Sequence, residues 1–324
     1  MFDRFSFNVK LSRMLNLILR VDQDKMASES LELYIAAFSV FVAPILVVIC
    51  LRLAKYLKFS DQNDKNIVLI GCDTDCGQAL LQQLLQHRGH IFATYKDEDK
   101  MKDLLPDSPS NITFMKLDPN ETDEIDNTIK AITKEQMQYG SIWTLINLTG
   151  NGICNAAAEW CPKEIYLNSA DDNLWASVEV IRRFLPVIKE SRGRIIQLGC
   201  SSATTMSRKT IAYCVAKASL RAFIESLSIE MKRYSVSVHW IELKSCYEQY
   251  EEETNEARID RCKQQFWNEI SSLAKLKFNQ QFYDTFVTDY SRKNQAYFKM
   301  NIHKIMWAIE NAIFSFNPSD VYTV

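Results

Sequence analysis

Six short apolar runs, interleaved with stretches of helical period, fix the kind of core this chain can build. Ile67–Ile70, Ile91–Tyr95, Thr113–Leu117, Trp143–Leu148, Arg194–Leu198 and Val236–Ile241 are too short for helices and rich in β-branched and aromatic residues. Between them Leu80, Leu81, Leu84 and Leu85 share one helix face. Residues 124–138 and 172–189 repeat the pattern, the second with Leu174, Val178, Ile181 and Leu185. A further helix opens at Tyr213 and carries Leu220, Phe223, Leu227 and Met231. Strands joined through helices need right-handed crossovers, so the expectation is an α/β fold with a doubly wound parallel sheet. Ligands of such sheets lie beyond the carboxyl ends of the strands. That rim holds the loop after Ile70, the strand ends at Asn147 and Leu198, and the loop after Ile241.

Tyr213 and Lys217 stand one helical turn apart just after the Leu198 strand end. A free phenol titrates near ~10. A neighbouring ammonium favours the phenolate and draws that value toward neutrality. The pair is therefore a candidate proton-transfer device. By spacing alone it is also an ordinary exposed helix pair; its place on the rim selects the first reading.

Composition removes several function classes. A net charge of −2 gives no basic face for nucleic acid. Nine cysteines are scattered without metal-type pairs, and His87, His90, His239 and His303 form no ligand spacing, so no metal site is expected. The eight glycines all fall between Gly71 and Gly199. About 7% glycine is usual. A scarcity on this scale means that positions where backbone would approach a phosphate carry side chains instead.

Residues 33–51, LYIAAFSVFVAPILVVICL, form an uncharged run long enough for a transmembrane helix. Arg52, Lys55, Lys58 and Lys65 follow it, against Arg20 and Lys25 before it. The positive-inside bias then puts 52–324 on the cytosolic side of a single-pass protein. A buried core helix is the alternative. Residues 1–32 begin with an amphipathic segment, Lys10, Arg13 and Arg20 recurring among Phe7, Leu11, Leu15 and Ile18. It reads equally as an interfacial helix or a mitochondrial address, which leaves endoplasmic reticulum and mitochondrion both open.

With these parts in order, the soluble portion, 52–324, resembles the short-chain dehydrogenase/reductase family, and within it the membrane-anchored branch of retinol and hydroxysteroid dehydrogenases. The loop Gly71-Cys72-Asp73-Thr74-Asp75-Cys76-Gly77 stands where the family has its glycine-rich opening loop. Asp118 matches the adenine-side aspartate. Asn147-Leu148-Thr149-Gly150 stands for the Asn-Asn-Ala-Gly segment. Asn173 falls at the helix asparagine, and Tyr213 and Lys217 at the catalytic pair. The resemblance implies a Rossmann-like fold and a nicotinamide cofactor held by Gly71, Asp73, Gly77, Lys96, Asp118, Asn147, Gly150 and Lys217. It implies a lipophilic small-molecule substrate, admits a homodimer, and makes the tail from about 245 a helical cap over the site. Tyr213 would exchange the substrate proton, Lys217 would lower its pKa, Asn173 would support a water, and Cys200 or Ser201 would orient the substrate oxygen.

Four departures weigh against this. Ile70 replaces the family threonine, Asp75 the middle glycine, and Leu243-Lys244 a Pro-Gly pair. At ~5 Å and an effective dielectric of ~20, a carboxylate at 75 facing a diphosphate would cost about 3 kcal/mol. Cys200 occupies the serine position thirteen residues before Tyr213. A thiol is the poorer hydrogen-bond donor. Lys96, where the second strand ends, has no aspartate in its place, which favours NADP, with NAD retained as the alternative. A catalytically impaired binding or scaffold protein at a membrane is the rival to an enzyme.

Overall fold

The computed structural model describes residues 65–84, 88–101, 110–150, 161–204, 210–243 and 302–324, with isolated positions elsewhere. The chain divides into two compact units, Met1–Leu57 and Lys58–Val324, and the sheet lies in the second. The segments 1–32 and most of 33–51 fall outside the described residues. Among the described residues no helix is long and apolar enough to cross a membrane.

Seven strands form one parallel sheet: β1 (Asn66–Ile70), β2 (Ile91–Tyr95), β3 (Ile112–Lys116), β4 (Ile142–Asn147), β5 (Arg194–Cys200), β6 (Ser237–Leu243) and β7 (Val321–Thr323). Their spatial order is β3-β2-β1-β4-β5-β6-β7. The winding direction reverses between β1 and β4, and at that crevice an open α/β sheet binds its ligand.

The helices are α1 (Asp75–Leu84), α2 (Thr122–Tyr139), α3 (Lys163–Ala170), α4 (Ala176–Ser191), α5 (Ile211–Met231) and α6 (Ile302–Phe314). Alternate strand residues feed two cores, as a side-chain period of two requires. Ile67 and Leu69 join α1 residues Leu80, Leu81 and Leu84 and α6 residues Ile305, Ile309 and Ile313 on one face. Val68 and Ile70 join Ile125 of α2, Val180, Ile181, Phe184 and Ile188 of α4, and Leu220, Ile224 and Leu227 of α5 on the other. Both strand faces are thus apolar, which is why the strands read as unbroken runs.

Two features depart from expectation. The helix expected over 172–189 is α3 and α4 joined through a π-helical turn, Asp171–Trp175. Residues 302–324, expected to belong to a cap, form α6 and β7 and complete the sheet layer. Arg194 fixes this closure: its guanidinium, 6% exposed, donates to the carbonyl oxygens of Ala312 (2.7 Å), Ile313 (3.0 Å) and Ser315 (2.8 Å).

Candidate active site

The first rim loop is shaped by two glycines. Gly71 has φ +85, a conformation that favours glycine. A Cβ at Gly77 would lie 2.2 Å from the Gly71 carbonyl oxygen, so only glycine lets the start of α1 pack on the loop. Thr74 Oγ1 bridges them, donating to Gly71 O (2.9 Å) and accepting from Gly77 N (3.0 Å). The result is a tight turn delivering a helix N-terminus to the crevice, an arrangement suited to a diphosphate. The side chain of Asp75 lies outside what the structure describes.

Asp73, in the same loop, reaches the end of β2. Its Oδ2 accepts from the backbone amides of Lys96 (3.1 Å) and Asp97 (2.9 Å). Lys96 Nζ in turn pairs with Asp118 Oδ2 at 2.7 Å. The expectation of NADP treated Lys96 as a cation available to a 2′-phosphate; here its ammonium already faces a carboxylate.

At the end of β4 the side chain of Asn147 is wholly buried and used within the sheet. Its Nδ2 donates to Gln197 Oε1 (2.8 Å) and its Oδ1 accepts from Thr149 N (3.2 Å). Asn147 therefore shapes the strand end and does not extend its amide into the crevice. Three residues on, Gly150 has φ +145; a Cβ there would lie 2.5 Å from Lys217 Nζ and 3.3 Å from Asn173 Oδ1. Gly150, Lys217 and Asn173 are thus brought together from the loop after β4, α5 and the π-turn. Asn173 is 1% exposed and its Oδ1 has no hydrogen-bond partner. An orphaned buried oxygen is costly in a finished core and is expected where a water or ligand completes the site.

Tyr213 and Lys217 are each 5% exposed, with Lys217 Nζ 5.4 Å from the Tyr213 ring centroid. The exposed-pair reading of their spacing is excluded. Both line a narrow cleft with Thr149, Gly199, Cys200 and Leu243. Its volume of about 20 Å³ is the space of a single water. Cys200, at the end of β5, does not serve as expected. Its sulfur is disulfide-bonded and accepts from the Ser202 amide at 3.3 Å, so it has no proton to donate. Ser201 follows in a short 3-10 turn, Ser201–Ala203, half-buried.

Sequence reasoning missed a hydroxyl pair at this wall. Thr149 Oγ1 and Ser177 Oγ lie 2.7 Å apart and are buried. Thr149 stands where the family pattern has alanine, and that substitution was the available signal. Among the described residues no group of His, Cys, Asp or Glu could hold a metal ion.

A dinucleotide-type crevice at a winding reversal, with a buried Tyr-Lys pair at its inner end, defines an α/β nucleotide-binding protein of dehydrogenase type. The chain belongs to the short chain dehydrogenase family, whose model matches residues 65–258. It is 25% identical over 289 residues to a 3beta-hydroxysteroid dehydrogenase of Caenorhabditis elegans, covering 86% of this chain and 74% of that one. It is 28% identical over 232 residues to retinol dehydrogenase 7 of Mus musculus, 70% of each chain. A solved short-chain dehydrogenase from Streptomyces avermitilis shares the fold, with a TM-score of 0.60 at 15% identity over 80% of this chain and 88% of that one. The family is one of oxidoreductases that use a nicotinamide cofactor, and the chain sits with its retinol and hydroxysteroid dehydrogenase-like branch. The glycine-shaped turn, the helix N-terminus and the orphaned Asn173 oxygen fit such a group.

Proposed function

We propose that the chain is a membrane-associated oxidoreductase acting on the alcohol or carbonyl group of a lipophilic substrate, with a nicotinamide dinucleotide as cofactor. The observation that carries this reading is the joint burial of Tyr213 and Lys217 beside Gly150 and Asn173. When bound, the cofactor supplies the hydride chemistry. The protein's residues handle the proton. Tyr213 gives or takes it at the substrate oxygen; Lys217 stabilises the phenolate by charge. Asn173 Oδ1 holds a water that returns protons toward Lys217. Ser201 takes the orienting part for which Cys200 lacks a donor.

The lipophilic class is supported by the retinol and hydroxysteroid names of the relatives and by the uncharged run 33–51. That run would hold the protein in the membrane of the endoplasmic reticulum or mitochondrion, with 52–324 toward the cytosol, where apolar substrates partition.

A second reading is favoured by the Cys200 sulfur: a binding or scaffold protein that keeps the fold without turnover. Titration of the full-length protein in detergent with NADH and NADPH, followed by assay on retinoid and steroid alcohols, separates the two. Binding with turnover that Tyr213→Phe lowers by ~10²–10⁴-fold supports the enzyme. Binding without turnover supports the scaffold, and no binding at millimolar dinucleotide removes the enzyme reading.

A further inference from the structure

The inner wall of the cleft holds two hydroxyls that the proton chemistry above does not use. Ser177 Oγ, wholly buried on the second residue of α4, and Thr149 Oγ1, on the loop after β4, lie 2.7 Å apart. Elsewhere in the fold helical hydroxyls turn back onto their own helix. Thr133 donates to the Ile129 carbonyl oxygen at 2.8 Å, and Ser219 to that of Val215 at 2.9 Å. Ser177 does not: among the described residues its hydroxyl has Thr149 Oγ1 as its one hydrogen-bond partner. The π-turn just before it puts the backbone out of α register, the Ala176 amide reaching the Asp171 carbonyl oxygen five residues back.

Two hydroxyls carry two hydrogens, and the contact between them uses one. Ser177 has no other acceptor among the described residues, so its hydrogen goes to Thr149 Oγ1 and the Thr149 hydrogen is left over. Thr149 lines the cleft beside Tyr213 and Lys217, and there the spare hydrogen can be spent. Asn173, about one turn before Ser177, has the opposite surplus: a buried Oδ1 with no donor. Gly150 follows Thr149 directly, and a Cβ on it would meet both that oxygen and Lys217 Nζ. A donor lacking an acceptor and an acceptor lacking a donor therefore flank one glycine, beside space for about one water.

From this arrangement we propose that the Thr149–Ser177 pair positions the water that Asn173 holds. Ser177 donates to Thr149 Oγ1, Thr149 donates to the water, and the water donates to Asn173 Oδ1. Lys217 Nζ is the second donor to that water, which then has about three partners, as buried waters typically do. Alanine at 149, the residue of the family pattern, would leave the water one partner fewer and free to turn. Thr149 and Ser177 are thus positioning residues, acting through the water on Lys217 and through Lys217 on the Tyr213 proton. The effect on turnover rests on the oxidoreductase reading; the water site does not.

The test is a crystal structure of the full-length protein in detergent, fine enough to place waters, beside Thr149→Val, Thr149→Ser and Ser177→Ala, with thermal midpoints and NADH affinity for each. The expected result is one ordered water within hydrogen-bond reach of Thr149 Oγ1, Asn173 Oδ1 and Lys217 Nζ, lost in Thr149→Val and kept in Thr149→Ser. With a retinoid or steroid alcohol, kcat should fall about fivefold in Thr149→Val, the size of one lost hydrogen bond, while KM and NADH affinity stay within about twofold. Thr149→Ser should restore kcat. Ser177→Ala should displace the water and lower kcat in the same direction, so the result does not hang on the folding of one variant. A water that bonds Asn173 without Thr149, or that survives unchanged in Thr149→Val, would overturn the inference and leave the oxidoreductase reading standing. The expected water, lost in Thr149→Val, in a protein without turnover would overturn the oxidoreductase reading and leave the positioning pair in place.

Discussion

Gly150 and Lys217 are packed so closely that a methyl group at position 150 would stand 2.5 Å from the lysine Nζ. The contact joins the loop after β4 to α5 and sets where the ammonium sits. Gly150→Ala would add that methyl at φ +145, a conformation costing about 1–3 kcal/mol for a residue with a side chain. The lysine must then move from Tyr213 or from Asn173. Dinucleotide affinity and turnover should fall at least tenfold, while the thermal midpoint drops by only a few degrees. Affinity within twofold of the unmodified protein would show that Lys217 does not depend on this packing.

The strands were legible because both faces of the sheet are covered. Ile91–Tyr95 was read with its observed bounds, and β1, β3 and β4 lie within one residue of theirs. β7 escaped because three residues at an edge, only Tyr322 of them buried, leave no pattern. The π-turn escaped for a different reason: Leu174, Val178, Ile181 and Leu185 keep a helical spacing across it, while the turn re-aims Asn173. At the site, Tyr213 and Lys217 were legible because four residues is one turn. The Lys96–Asp118 pair was not, since its partners lie 22 residues apart on different strands' ends, and a charge carries no periodic signal. Asn147 stands at the end of β4, but its amide is consumed by Gln197, a neighbour that only the β4–β5 register reveals.

Arg194 provides a stability test independent of the site. Its three hydrogen bonds satisfy carbonyls at the C-terminus of α6, where a positive charge also suits the helix dipole. Burial pushes its guanidinium pKa down to about 10, which leaves it charged at neutral pH. Arg194→Met would keep the bulk and strip donors from three carbonyls. Losing one buried partner costs ~1–3 kcal/mol, and the expected loss in unfolding free energy is about 3 kcal/mol. Arg194→Lys should fall between, since one ammonium cannot reproduce the planar fork. Urea unfolding gives the comparison; a change below ~1 kcal/mol in the methionine variant would mean that water replaces the guanidinium without penalty.

His239 makes the stability of the same edge depend on pH. The ring, 1% exposed on β6, lies 2.8 Å from the Ser319 carbonyl oxygen through Nδ1 and 2.9 Å from Ser237 Oγ through Nε2. A neutral ring satisfies both, Nδ1–H donating to the carbonyl and Nε2 accepting from the hydroxyl. Burial first, and the Arg194 charge to a lesser degree, push its pKa down from 6.5 to about 4, against opposing pulls from Ser319 and Asp320. The unfolded chain therefore binds a proton near pH 6.5 that the folded chain refuses until about pH 4. Between these values the unfolded state carries more protons, so stability rises with pH. The contribution is complete above pH 6.5 and drains away as pH falls toward 4, by about 3 kcal/mol in all. His239→Gln retains a donor for the Ser319 carbonyl but cannot titrate. Urea unfolding from pH 4 to pH 8 should show the slope shrink by that amount in the glutamine variant. Two curves that run parallel over the whole range would assign the acid sensitivity of this fold to other groups.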